Sequence, residues 1–221
     1  MPSDFSDQIR SKVGNVPIVC DMSSNILSRP VNVSNFGVVF AGAQKNLGAA
    51  GVTIVIVRKD LIHLNPARIP PLMMDYKTFS KSSSLYNTPP TFSIYVTGKV
   101  LKWIKDTGLE EIYARNKQKA HLLYAFIKES KIYKCPVNRD YQSTMNVPFR
   151  IWINEQVNEA LESDFLSLCS SSNLVGLSGH RSVGGIRASL YNAMTVSGVE
   201  ALIKLMKEFE EKVLLKSPNL K

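Results

Sequence analysis

Phe40-Ala41-Gly42-Ala43-Gln44-Lys45-Asn46 lies between two apolar runs and decides how the chain is read, because it sets one lysine where a strand should end. Phe36 to Phe40 (FGVVF) and Val52 to Val57 (VTIVIV) are short and rich in β-branched and aromatic residues, and Gly48-Ala49-Ala50-Gly51 connects them. Such runs read as strands and such a connector as a turn. Lys45 then belongs to a rigid turn near a sheet edge. An amine walled by apolar groups and cations gains nucleophilicity toward a carbonyl; one on a solvated loop does not, and solvated lysines are the commoner kind. Upstream, Val16-Pro17-Ile18-Val19-Cys20-Asp21 is an apolar run that ends in a carboxylate. Acids at the C-terminal ends of strands are typical site residues in α/β sheets, although Asp also serves as a helix cap or turn former. An acid and a lysine ending two successive strands make a more demanding pattern than either alone.

Pyridoxal phosphate uses that pair: a lysine to form an imine with its aldehyde, and an acid to keep its ring nitrogen protonated. Further along, Gly179-His180-Arg181-Ser182-Val183-Gly184-Gly185-Ile186-Arg187 gathers two arginines and a histidine, donors suited to a carboxylate or phosphate. A basic loop facing water is the plain alternative, and the paired glycines favour close approach to a ligand or partner. Together, Asp21-Met22-Ser23-Ser24, Leu27-Ser28-Arg29-Pro30, Ala41 to Asn46, Tyr86-Asn87-Thr88-Pro89-Pro90 and Gly179 to Ala193 resemble the phosphoserine aminotransferase family, in the expected order from about Val16 onward.

The resemblance implies an α/β protein of the pyridoxal-phosphate-dependent transferase fold type I. The expected architecture is a partial large domain with a mixed, mostly parallel sheet, followed by a C-terminal α/β small domain. It implies residues 1–110 as what remains of the cofactor-binding domain and 111–221 as the small domain. The implied reaction interconverts O-phosphoserine plus 2-oxoglutarate with 3-phosphohydroxypyruvate plus glutamate, in serine biosynthesis. Lys45 matches the Schiff-base lysine, Asp21 the partner of the pyridine nitrogen and Gln44 a cofactor contact. Asn87 and Thr88 match a pair that reaches the cofactor phosphate of a neighbouring subunit in a homodimer. Arg187 matches the arginine for the substrate α-carboxylate, and His180 with Arg181 the pair near its distal phosphate or carboxylate. In the family a long block precedes the Asp21 strand, with a glycine-rich phosphate turn and a ring-stacking aromatic residue. Met1 to Asn15 is polar and shows neither, so a fragment or short form with exposed apolar faces is expected. A catalytically inactive subunit that pairs with a full-length relative is the alternative.

Other readings are narrowed by composition. The chain has 221 residues, 44% hydrophobic and 20% charged, enough for one sizeable core or two small ones. A net charge of +9 suits anionic substrates and cofactor, and no basic stripe interleaved with aromatics marks a nucleic-acid partner. Cys20, Cys135 and Cys169 follow no metal or disulfide pattern and read as reduced thiols of a cytoplasmic protein. His63 and His121 lack evident ligand partners. There is no Walker A loop, signal peptide or membrane span. Leu64 to Pro90 reads as a long loop, followed by helices from Thr91 to about Lys105 and Leu109 to Glu129. A strand from Met145 to Ile153, a helix from Val157 to Cys169, a strand from Ile186 to Tyr191 and a helix from Ser197 to Leu215 complete the chain.

Overall fold

In the computed structural model, residues 9, 11–62 and 68–216 are described; His63 lies outside them. Three strands carry the opening segment. β1 (Val19–Asp21) runs parallel to β2 (Val38–Gly42) with Asp21 opposite Phe40, and β3 (Thr53–Val57) returns antiparallel with Thr53 opposite Gly42. The sheet is mixed; its two pairings are one parallel and one antiparallel, so parallel pairing does not predominate in these strands. Because β1 and β2 run the same way, Asp21 and the turn that holds Lys45 emerge at the same end. Alternate residues point to opposite faces, and Val39 and Ala41 of β2 enter a small core with Cys20, Met22, Ile26, Phe36, Ala43 and Leu47.

β3 has the most apolar strand sequence of the three, yet none of its residues is buried. The segment expected to be loop holds α1 (Tyr76–Lys81), which Asp75 caps by accepting the Lys77 N–H. Six residues are too few for a helical period to stand out. After it, α2 (Thr91–Thr107) packs its first turns on the connector between β2 and β3: the Ser93 hydroxyl donates to the Ala50 carbonyl at 2.7 Å. Gly48, at φ +133°, sits where a Cβ would come within 3.1 Å of Val96, so both its backbone and its neighbour call for glycine. Of Ile94, Val100, Leu101 and Ile104, the apolar residues at helical spacing on α2, only Ile104 is buried; Ile94 and Leu101 are exposed, and so is Phe92 at 74%.

The chain divides into two compact units, one ending at Leu109 and one beginning at Glu110. The second holds all but the first residue of α3 (Leu109–Glu129), and its strands are β4 (Tyr133–Lys134), β5 (Asn146–Ile153), β6 (Gln156–Val157), β7 (Ser178–His180) and β8 (Gly184–Ser189). They form an antiparallel sheet in the order β4-β5-β8-β7, with β6 paired to β5, and are accompanied by α4 (Glu159–Ser171) and α5 (Val196–Lys216). Val147, Phe149 and Ile151 of β5 and Ile186 and Ala188 of β8 share the core face with Phe165, Met206 and Phe209. Tyr133 lies against Phe149 and Phe165, and Phe165 against Phe209, with centroids 5.2 to 5.7 Å apart and tilted or edge-on rings, the arrangement that aromatic quadrupoles favour.

Pro148 sits within β5, where a proline would ordinarily break a ladder. Its partner Arg187 directs its backbone N–H to Leu177 on the β7 side, so the pair is not hydrogen-bonded and the proline nitrogen faces away from β8. On that side β4 pairs only as far as Arg150, so no ladder bond is lost. α3 also departs from its sequence pattern, because its buried face includes Asn116 and Lys119. Lys119 Nζ donates to the carbonyls of Leu190 and Tyr191 at 3.1 and 2.8 Å, and Asn116 donates to Asn192 at 2.8 Å. These bonds tie α3 to the segment after β8.

Candidate active site

One group of candidate residues is built on the ends of β1 and β2. Asp21 Oδ1 accepts both the backbone N–H and the hydroxyl of Ser23, at 2.8 and 2.6 Å, closing a turn directly after the strand. The Ser23 oxygen in turn accepts the Gly42 N–H at 3.1 Å, and Met22 N–H donates to the Phe40 carbonyl at 2.8 Å, so the β1 end is pinned to the β2 end. The hydroxyl and amide of Ser23, reinforced by the charge of Lys45, hold the Asp21 carboxyl below its ordinary range. The result is an ionised, exposed carboxylate whose second oxygen accepts no hydrogen bond among the described residues.

Lys45 is half-buried on the turn that follows β2. The turn is rigid on both sides: Ala43 N–H donates to Val52 O at 2.8 Å, and buried Asn46 donates from Nδ2 to Ile26 O at 3.0 Å. Gln44 folds its amide oxygen over Gly42, close enough that a Cβ there would collide with it. Asn87 and Thr88 lie in the exposed stretch before α2, where Asn87 donates to the Thr88 carbonyl at 3.1 Å. Among the described residues no hydrogen bond joins them to Asp21 or Gln44.

A separate group of candidate residues belongs to the unit that begins at Glu110, on the hairpin β7–β8. Arg187 is opposite Pro148 and alternates with buried Ile186 and Ala188, so its side chain leaves the non-core face of the sheet. Its Nε is buried and makes no hydrogen bond among the described residues. A buried donor without an acceptor is costly, and an anion would satisfy it. At the hairpin tip, exposed His180 accepts the Ser182 N–H at Nδ1, 3.3 Å away, and the Ser182 hydroxyl lies 2.7 Å from the same nitrogen. Arg181 is exposed next to it.

Sequence reasoning passed over three residues that support these groups. Ser23 was legible in principle, since Asp-x-Ser after a strand is a turn signal. Arg150 and Glu162 were not: they are distant in sequence and meet only in the fold. Arg150 Nε and Nη2 donate to Glu162 Oε1 and Oε2 at 2.7 and 2.9 Å.

An ionised acid and a half-buried lysine at neighbouring strand ends, on a sheet in this order, define a class. The chain belongs to the aminotransferase class-V family, whose model matches residues 3–202. Within it, the similarity is to phosphoserine aminotransferases. The protein of that name from a strain of Bacillus cereus is 53% identical over 200 residues, covering 90% of this chain and 54% of the relative. The crystal structure from Bacillus circulans subsp. alkalophilus superposes with a TM-score of 0.84 at 48% identity, over 90% of this chain and 54% of that one. A pyridoxal-phosphate-bound phosphoserine aminotransferase from Trichomonas vaginalis gives 0.82 at 40% identity, over 87% and 54%. The fold is thus that of the type I pyridoxal-phosphate-dependent aminotransferases. The chain spans about half the length of the relatives it matches.

Proposed function

We propose that this chain carries half-sites of a phosphoserine aminotransferase, exchanging an amino group between O-phosphoserine with 2-oxoglutarate and 3-phosphohydroxypyruvate with glutamate. The observation that carries the reading is the Asp21 carboxylate, kept ionised by Ser23 and within electrostatic reach of Lys45. The relatives named above are aminotransferases, and they lend the inactive pairing subunit no support.

The donor set fits pyridoxal phosphate at two points, the amine that holds it and the acid for its ring nitrogen. When bound, that cofactor supplies an aldehyde that accepts an amino group and a cationic ring that draws electrons from the substrate Cα. Asp21 holds the proton at the ring nitrogen. Lys45 would anchor the group and, as a free amine, would take the proton from the substrate Cα and deliver it to the cofactor carbon on the other side of the substrate nitrogen. Gln44 lines the same turn. Arg187 takes the α-carboxylate, its guanidinium being matched to a planar anion, while His180 and Arg181 receive the distal phosphate or carboxylate. Asn87 and Thr88 are exposed, as donors to a cofactor phosphate in a second subunit of a homodimer would be. We assign the residues before about 110 to the cofactor domain and those after it to the small domain. Three free thiols, two of them buried, suit the reducing cytoplasm, and no helix among the described residues is long and apolar enough to cross a membrane.

The test is covalent labelling. Pyridoxal phosphate added to the purified chain should give a saturable visible band that glutamate bleaches, and borohydride reduction followed by peptide mapping should find the label on Lys45. Lys45→Ala should lose band and label with unchanged far-ultraviolet circular dichroism. An equal band in that variant would show that the lysine is misassigned.

A further inference from the structure

β8 parts from β5 between Arg187, which lies within their ladder, and the tip that carries His180 and Arg181. The ladder between them runs from Asn146 opposite Ser189 to Phe149 opposite Ile186 and stops there. Gly185 and Gly184 follow with φ of +72° and +71°, turning β8 toward the hairpin tip. The next β5 residue, Arg150, points to the same face as Pro148 and so to the face that carries Arg187. Its side chain takes over where backbone pairing ends. The stem runs across Gly185, where any Cβ would collide with Arg150 Cδ and meet Nε at 2.8 Å. Nη1 reaches the Val183 carbonyl at 3.5 Å, in the loop that links His180 and Arg181 to Gly184.

The guanidinium is held from its other side. Glu162, in the first turn of α4 and 5% exposed, binds it through both oxygens and also accepts the Ile151 N–H at 3.0 Å. Glu159 adds a looser contact at 3.6 Å. A bidentate pair this enclosed fixes direction as well as charge, so Arg150 is a stiff strut between α4 and the hairpin tip. A basic residue beside an anion site would ordinarily serve as a ligand; this one is already neutralised by Glu162 and turned to a backbone carbonyl.

We infer that Arg150 and Glu162 are positioning residues for the distal-anion subsite: their ion pair, passing over Gly185, sets the tip of the β7–β8 hairpin and hence where His180 and Arg181 meet the substrate phosphate. The inference rests on the function proposed above.

The test uses the full chain loaded with pyridoxal phosphate and two readouts, amide hydrogen exchange over residues 178–185 and calorimetric affinity for O-phosphoserine. Arg150→Met keeps most of the stem and removes the fork; exchange at the tip should quicken and affinity should fall, each by about tenfold, the scale of losing one charge-assisted hydrogen bond. Exchange in α5 should stay as in the parent, which checks the fold. Gly185→Ala disturbs the same strut without altering a charge and should move both readouts the same way, as should Glu162→Gln to a lesser degree. Arg181→Ala serves as the reference, weakening O-phosphoserine binding while tip exchange is unchanged. If Arg181→Ala weakens binding and Arg150→Met and Gly185→Ala alter neither readout, the strut is refuted and the function stands. If Arg181→Ala leaves binding unchanged, the assignment of the subsite fails, and the inference with it.

Discussion

From Glu110 onward, β5 and β8 bury alternate residues against a cluster of rings around Phe165, whereas before Leu109 the strand Thr53–Val57 buries none of its five. Val55 and Ile56 are neighbours in sequence and therefore face opposite sides of the sheet, yet they are exposed by 40% and 42%. The second unit covers both its central strands on one face, whereas the first leaves β3 open to solvent. Apolar sequence decides that a strand forms, and tertiary context decides whether it is buried.

The largest effects should separate the units by stability. The chain has two tryptophans, Trp103 in the first unit and Trp152 in the second, so the single-tryptophan variants Trp103→Phe and Trp152→Phe give each unit its own fluorescence reporter in urea. The Trp103 signal should change at lower urea than the Trp152 signal. Phe165→Ala should lower the stability seen by Trp152 by about 3–5 kcal/mol, the usual cost of emptying a large aromatic site, while Val55→Ala should move the Trp103 transition by about 0.5 kcal/mol or less. Coincident transitions in both reporters would break the comparison.

A smaller effect sharpens it from the polar side. Burial, with Arg115 adding to it, pushes the Lys119 ammonium down to about 8 from 10.5. Between those values the unfolded chain keeps a proton that the folded chain has shed, so raising the pH favours folding. The charge therefore costs stability fully below about pH 8, and the cost is gone above about 10.5. Relative to Lys119→Met, the parent should gain at most about 1 kcal/mol per pH unit across that window. A flat difference across the window would mean that the two carbonyls compensate the charge completely.

The smallest effect lies in the first unit. Ser23→Ala removes the hydroxyl that dominates the Asp21 environment, and the carboxyl should titrate at higher pH by carbon-detected NMR, toward its ordinary range. The folded value is depressed, so the associated stability is present above the unfolded value and lost as pH falls through the folded one. Asp21 is exposed, and denaturation curves near neutral pH should barely move. An unshifted titration would leave the Ser23 backbone N–H, with Lys45 behind it, as the cause of the depression.

Much of this molecule was legible in its residues. The strands around Lys45, the helix from Leu109 to Glu129 and the closing helix stand near their expected bounds because long or strongly apolar periods fix them. β4, β6 and β7 were not read; two or three residues have no period, and these strands exist only because β5 and β8 offer a neighbour. The burial of Asn116 and Lys119 on α3 was not legible either, since nothing local announces the amide and carbonyls they meet. Site residues that act through their own type at a strand end, such as Asp21, were visible. Arg150 and Glu162 act through each other across the fold and were not.

β3 is also an outermost strand of its sheet. A ribbon that is apolar on both sides and open along one edge is a template for adding another strand. Encounter between two such ribbons is second order in concentration, while closure within a single molecule is first order. Dilution is then a variable that sets how often a newly made copy of this chain meets the next.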